Sequence, residues 1–225
     1  LNMDMLKCFF SNRYAGRTEL FEGLSVWQEE KYRSLQGSYP VIYLTFADIK
    51  ADSYEDSKNS IIAVINEAYQ AHRYLLESDA VTDGEKNLFK AFDEYTNNSD
   101  SDKEIANEVV FRSLKVLSDC LCRYYNKKVI ILLDEYDTPM QEAYIHGYWE
   151  EFTAFIRSLF NSTFKTNPYL ERAMMTGITR VSKESVFSDL NNLNVVTTTS
   201  DEYADCFGFT EPEVFTALDE FGLSE

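Results

Sequence analysis

Positive charge is what this 225-residue chain has least of: 21 Lys and Arg stand against 38 Asp and Glu, a formal net charge of −17. An acidic chain repels nucleic-acid backbones. Its few basic runs, Lys127-Lys128 and Lys31-Tyr32-Arg33, are flanked by acids or apolar residues, so no direct nucleic-acid contact is expected. Histidine occurs only as His72 and His146, without a zinc spacing or a Ser/His/Asp arrangement. The four cysteines (Cys8, Cys120, Cys122, Cys206) form no C-x-x-C pair, and their expected state is reduced, mostly buried thiols in a cytoplasmic protein. No apolar run reaches about 18 residues, so neither a secretory leader nor a membrane-spanning helix is expected. The eight glycines are scattered. They form neither the dinucleotide fingerprint G-x-G-x-x-G nor the phosphate loop G-x-x-x-x-G-K-[ST].

What is present is a globular composition. Hydrophobic residues make up 44% and aromatics 15%, too much for a disordered chain. The length suits one domain over residues 1–225. Asn2 to Phe10 reads as a helix already under way at the first residue, as in a piece of a longer protein. Thr18 to Trp27 is mixed, with Leu20, Phe21 and Leu24 expected inward. Val41 to Phe46 has strand composition. A long amphipathic helix follows through Ile61, Ile62, Ile65, Ala68, Tyr69, His72, Leu75 and Leu76, with a capping start near Ser53. Thr82-Asp83-Gly84-Glu85 and Ser101-Asp102-Lys103-Glu104 are two more capping boxes. The first opens a helix through Leu88, Phe89 and Phe92. The second opens one with Ile105, Val109, Val110, Leu114, Leu117, Leu121 and Tyr124 on a single face. A further helix turns Phe152, Phe155, Ile156, Leu159 and Phe160 inward, and His146 falls in a loop before it. Ala173 to Thr179 reads as a core strand, Ser182 to Leu190 as a short helix, and Asn194 to Thr198 as another strand. Thr210-Glu211-Pro212-Glu213 caps a closing helix. Strands separated by helices imply an α/β fold with a mostly parallel sheet.

The most informative segment is Val129-Ile130-Ile131-Leu132-Leu133 followed by Asp134-Glu135-Tyr136-Asp137. Five consecutive aliphatic residues predict a parallel strand buried on both faces, and open α/β sheets bind ligands at the C-terminal ends of such strands. This is the form of a Walker B segment, in which the first acid, Asp134, holds Mg²⁺ and the second, Glu135, polarises the attacking water. Asp137 would orient the metal shell or cap the next helix. Acids that merely end a strand are the plain alternative. Thr176, closing the next strand, is a candidate γ-phosphate sensor or a core hydroxyl. Arg180 is a candidate for charge neutralisation or a surface ion pair.

Several blocks carry a resemblance beyond these motifs: Leu1 to Leu6, Glu19 to Leu24, Tyr39 to Phe46, Leu132 to Pro139, Met175 to Ser188, Leu190 to Leu193 and Phe207 to Val214. In order along nearly the whole chain, they resemble the AAA-ATPase-like proteins of bacteria and archaea. The resemblance implies a P-loop NTPase domain that binds Mg²⁺ and ATP, commonly followed by a PD-(D/E)XK nuclease-like domain. In that family the stretch upstream of the opening helix reads approximately R-P-R-R-F-G-K-[ST]. Its strand is expected beside the Walker B strand, so the chain is expected to be an NTPase core lacking its first strand and phosphate loop.

Other readings are weaker. Glu29-Glu30-Lys31 has the E-x-K spacing of a nuclease but no apolar strand around it, which leaves a solvated face. Asp134-Glu135-Tyr136-Asp137 looks like a helicase D-E-x-D box, yet no basic track accompanies it. The strongest rival to an ATPase is a nucleotide-gated switch or interaction module with slow or no hydrolysis, regulating an attached nuclease-like domain.

Overall fold

The computed structural model describes residues 2–97, 105–178, 187, 190, 193–203 and 208–223. These divide into two compact units, 1–190 and 191–225. In the first, three parallel strands form one sheet in the order β1-β2-β3: β1 (Val41–Thr45), β2 (Val129–Asp134) and β3 (Leu170–Met175). Around it stand α1 (Asn2–Phe10), the short α2 (Glu30–Arg33), α3 (Tyr54–Ala71), α4 (Asp83–Asn97), α5 (Asn107–Tyr125), α6 (Thr138–His146) and α7 (Trp149–Phe160). This is the α/β class that alternating strands and helices imply.

The aliphatic run explains why β2 is central. Val129 to Leu133 are all buried, because a strand between two neighbours with helices over both faces has no wet side. On one face Met3 of α1 packs with Val41, Ile130 and Leu132, and Leu6, Phe10, Tyr43 and Met174 border them. The alternate residues Ile42, Leu44, Ile131 and Leu133 are equally buried on the opposite face, where α3 meets β1 and α5 meets β2. Tyr69 of α3 ties in α4 through rings centred 4.6 Å (Phe89) and 5.0 Å (Phe92) away. Its hydroxyl donates to the Ser113 carbonyl of α5 at 2.8 Å.

Local signals are realised at several helix starts. Ser53 caps α3, accepting from the Asp56 amide at 3.2 Å. The Thr82 amide donates to Glu85 at 2.8 Å ahead of α4. In the second unit, α8 (Glu211–Glu220) opens on a reciprocal capping box between Thr210 and Glu213.

Other expectations need correction. Phe21 is buried, but Leu20 and Leu24 are exposed, since the segment folds as separate 3₁₀ turns (Thr18–Leu20 and Ser25–Gln28) instead of one helical face. Val109 and Tyr124 lie on the exposed flank of α5. His146 ends α6. Of the thiols, Cys120 is buried while Cys8 and Cys122 are half-buried, and all three are free. Residues 194–198 form no strand, for among the described residues nothing offers them a ladder. The Ser101 box and most of the Ser182 to Leu190 segment fall outside the described residues.

The third strand differs most. β3 begins at Leu170 and ends at Met175, earlier than the apolar pattern suggests. It is also an edge strand, with Glu171, Arg172 and Ala173 exposed. Both sides of β2 are occupied, by β1 and β3, so a strand carrying an upstream phosphate loop has no place beside it. Among the described residues both β1 and β3 are edge strands, so the open edges of the sheet lie beyond them.

Candidate functional site

The site is built from the exits of β2 and β3. Tyr43 pairs with Leu132 and Leu132 with Met174, so the two-residue period of a strand carries Asp134 and Thr176 to the same face and the same level. There the Thr176 hydroxyl donates to Asp134 Oδ1. The backbone continues the pairing one step beyond the strands: the Thr176 amide donates to the Leu133 carbonyl at 3.0 Å, and the Tyr136 amide to the Thr176 carbonyl at 3.0 Å. On the other side the Phe46 amide donates to the Asp134 carbonyl at 2.9 Å. Asp134 is thus held by both neighbouring strands while its side chain stays partly open to solvent.

Glu135 follows with φ of 51°, a left-handed backbone that non-glycine residues seldom adopt. That kink turns the chain out of the sheet and gives Glu135 a direction unlike the next strand position. Its Oε2 accepts from the Thr138 hydroxyl at 3.3 Å. A non-glycine outlier at a strand exit is a recurrent mark of functional sites.

Asp137 behaves differently. It is 1% exposed and makes no side-chain cap to α6. Its Oδ2 accepts from the Ile178 amide at 3.0 Å and from Gln141 Nε2 at 3.0 Å. Arg180 lies outside the described residues.

Two site neighbours escaped the sequence reading. Tyr43 sits on the α1 face of β1, its ring 4.7 Å from Lys7 Nζ. Burial and then the Asp134 carboxylate push its hydroxyl pKa up, placing a neutral phenol beside the acid. Gly177 lies against Asp137. The signal for Tyr43 was its parity with Leu132 and Asp134, readable only once the register was known. The rejected nuclease box, Glu29-Glu30-Lys31, is fully on the surface, as a solvated face should be.

The first helix faces this end of the sheet. Its last turn is pinned at the entry of β1, where the Asn12 amide donates to Tyr39 and the Tyr39 amide to Phe10, both at 2.9 Å. The helix therefore runs against the strands, with its first turn toward their exits.

Comparison with known proteins gives the family. A family model described as "Predicted AAA-ATPase" matches residues 1–187. The chain belongs to the AAA-ATPase-like family. That stretch contains Asp134, Glu135, Asp137, Thr176 and Arg180, and a predicted AAA-ATPase family implies nucleotide binding, typically with Mg²⁺. The chain is also similar to an uncharacterized protein in the vnfD 5' region of Azotobacter chroococcum mcd 1, 33% identical over 89 residues. That match covers 39% of this chain and spans 17% of the relative. No solved structure matches. Among the described residues, no helix of this AAA-ATPase-like chain is long and apolar enough to cross a membrane.

The donor chemistry fits Mg²⁺ in part. Among the described residues no cluster of three or more His, Cys, Asp or Glu could hold a metal alone. Mg²⁺ in nucleotide sites is ordinarily bound by one or two carboxylates, with phosphate and water completing the shell. An accessible Asp134 carboxylate is consistent with that pattern.

Proposed function

We propose that this domain, within its complete protein, binds and hydrolyses ATP as a P-loop NTPase with a Walker B pair. The observation that carries the reading is the Asp134–Thr176 contact at the exits of two adjacent parallel strands, next to a Glu135 turned out of the sheet. Membership of the AAA-ATPase-like family supports it.

In this reading Asp134 is the carboxylate that holds Mg²⁺, directly or through water. The metal, when bound, supplies positive charge against the phosphate oxygens. Glu135 orients the attacking water and takes its proton, a role suited to a carboxylate near solvent on a rigid turn. Thr176 ties the state of the phosphate end to Asp134 through its hydroxyl. Arg180 is the candidate for neutralising charge that develops on the phosphate. Asp137 takes a supporting role, since it is buried and accepts from the Ile178 amide and Gln141. The phosphates themselves need a backbone N–H cradle and a Lys from an upstream segment, and a helix start such as that of α1 is where such a loop delivers its anion. A nuclease-like domain elsewhere in the protein would be the partner that ATP turnover acts upon.

The test uses the protein with the segment upstream of Leu1 included. Glu135→Gln should retain Mg·ATP binding and slow single-turnover hydrolysis by roughly 10²–10⁴-fold, while Asp134→Asn should weaken Mg·nucleotide binding. Tight binding with negligible hydrolysis in the unmodified protein would favour the nucleotide-gated switch. Unchanged turnover in the Gln variant would leave the acids as strand terminators.

A further inference from the structure

The segment that carries Thr176 is poorly anchored by packing. Gly177 has no side chain and Ile178 is 88% exposed, so apolar burial does not hold these two residues. They are held from behind, by Asp137. The Ile178 amide donates to Asp137 Oδ2, which also takes the Gln141 bond. The carboxylate sits at the start of α6, where the helix dipole favours negative charge, and hydrogen bonds to an ionised acceptor are among the stronger ones. The fit is close. A Cβ on Gly177 would fall 2.4 Å from Asp137 Oδ1, 2.8 Å from its Cγ and 2.9 Å from Tyr136 Cε1. Only glycine lets the β3 exit lie against that carboxylate.

We propose that Asp137 is a positioning residue: its buried carboxylate latches the Thr176-Gly177-Ile178 segment to the turn after β2, keeping Thr176 in register with Asp134. This rests on the ATPase reading of the same site. At 1% exposure, Asp137 acts through Ile178 and Thr176 and does not itself meet nucleotide. The two strand exits then behave as one unit, closed by the Tyr136–Thr176 backbone bond in front and the Asp137–Ile178 bond behind.

Two measurements on the protein with its upstream segment test this. Amide exchange over the Ile178 peptide, without nucleotide, should be protected in the unmodified protein and at least about tenfold faster in Asp137→Ala, as expected where the bond to Asp137 holds that amide. Single-turnover hydrolysis in Asp137→Ala should fall by roughly 10²-fold, the usual effect of misplacing a catalytic group by about 1 Å, with the Mg²⁺ requirement unchanged. Gly177→Ala should reproduce both effects without altering the carboxylate. Asp137→Asn, which keeps an acceptor for the Ile178 amide, should recover most of the protection and most of the rate. Should the Ala variant fail to fold, the Asn variant still decides. Near-normal Mg²⁺ dependence supports the latch, whereas a raised Mg²⁺ requirement makes Asp137 a ligand and overturns it. Unchanged Ile178 exchange in Asp137→Ala also overturns it. A protein that never hydrolyses ATP would sink the ATPase reading alone, because the exchange measurement needs no nucleotide.

Discussion

Thr176 and Asp134, 42 residues apart in sequence, meet through a hydroxyl-to-carboxylate hydrogen bond at the level where β2 and β3 end. Neither residue has a local reason to be near the other. The parallel register brings them together, and the bond leaves one carboxylate oxygen of Asp134 free of Thr176.

That contact makes the consequence of losing the hydroxyl specific. Thr176→Val keeps the shape and removes the donor. Hydrolysis in the protein with its upstream segment should fall by roughly 10²-fold, the effect of deleting one preorganised donor. Stability should fall by only about 1 kcal/mol, the net worth of an ordinary hydrogen bond. Single-turnover assays and urea melts measure the two separately. A normal rate with a lowered melt would reduce Thr176 to a structural hydroxyl.

Residues 1–225 by themselves should not bind Mg·ATP with a micromolar constant, nor hydrolyse it above background. The carboxylates at the β2 exit face an anionic ligand within a field of net charge −17, and the sequence holds no phosphate loop to offset that repulsion. Isothermal titration calorimetry is the direct check. A saturable one-to-one isotherm would mean that groups outside the β2–β3 exits hold the phosphates.

His72 should give the fold a pH dependence of its own. It is 4% exposed, and its Nδ1 lies 3.1 Å from the Tyr74 hydroxyl. Burial first, then nearby Arg13, pushes its pKa down to about 4 from an ordinary 6.5, with a backbone bond at Val41 opposing. The unfolded chain therefore takes up a proton that the folded one refuses. The stability is fully present above about pH 6.5 and is lost as pH falls toward 4, on the order of 3 kcal/mol at the limit. Urea melts between pH 4 and 7 should show this slope in the unmodified protein and a shallower one in His72→Gln. Parallel slopes would place the imidazole in contact with water.

How much of this is legible in the sequence depends on the range of the interaction. Val129 to Leu133 announce a central strand because burial on both faces leaves no polar position. Ser53, Thr82 and Thr210 announce helix starts because a cap bonds within three residues of itself. Asp134 and Glu135 were legible for the same reason, as acids directly continuing that strand. The start of β3 is not legible because Leu170-Glu171-Arg172 carry no apolar signature. An edge strand needs only its backbone to pair with β2, and its side chains remain free to be charged.

The sequence by itself determined the α/β class, the central strand and the acids at its exit, since these follow from side-chain hydrophobicity and near-neighbour bonding. Tertiary structure alone decided that β3 lies at an edge of the sheet, that Thr176 meets Asp134, and that Asp137 turns away from α6's first amides to hold Ile178. Those are contacts between segments some 40 residues apart, and they are set by strand register and by the space that Gly177 leaves open. Neither quantity exists until the sheet has formed.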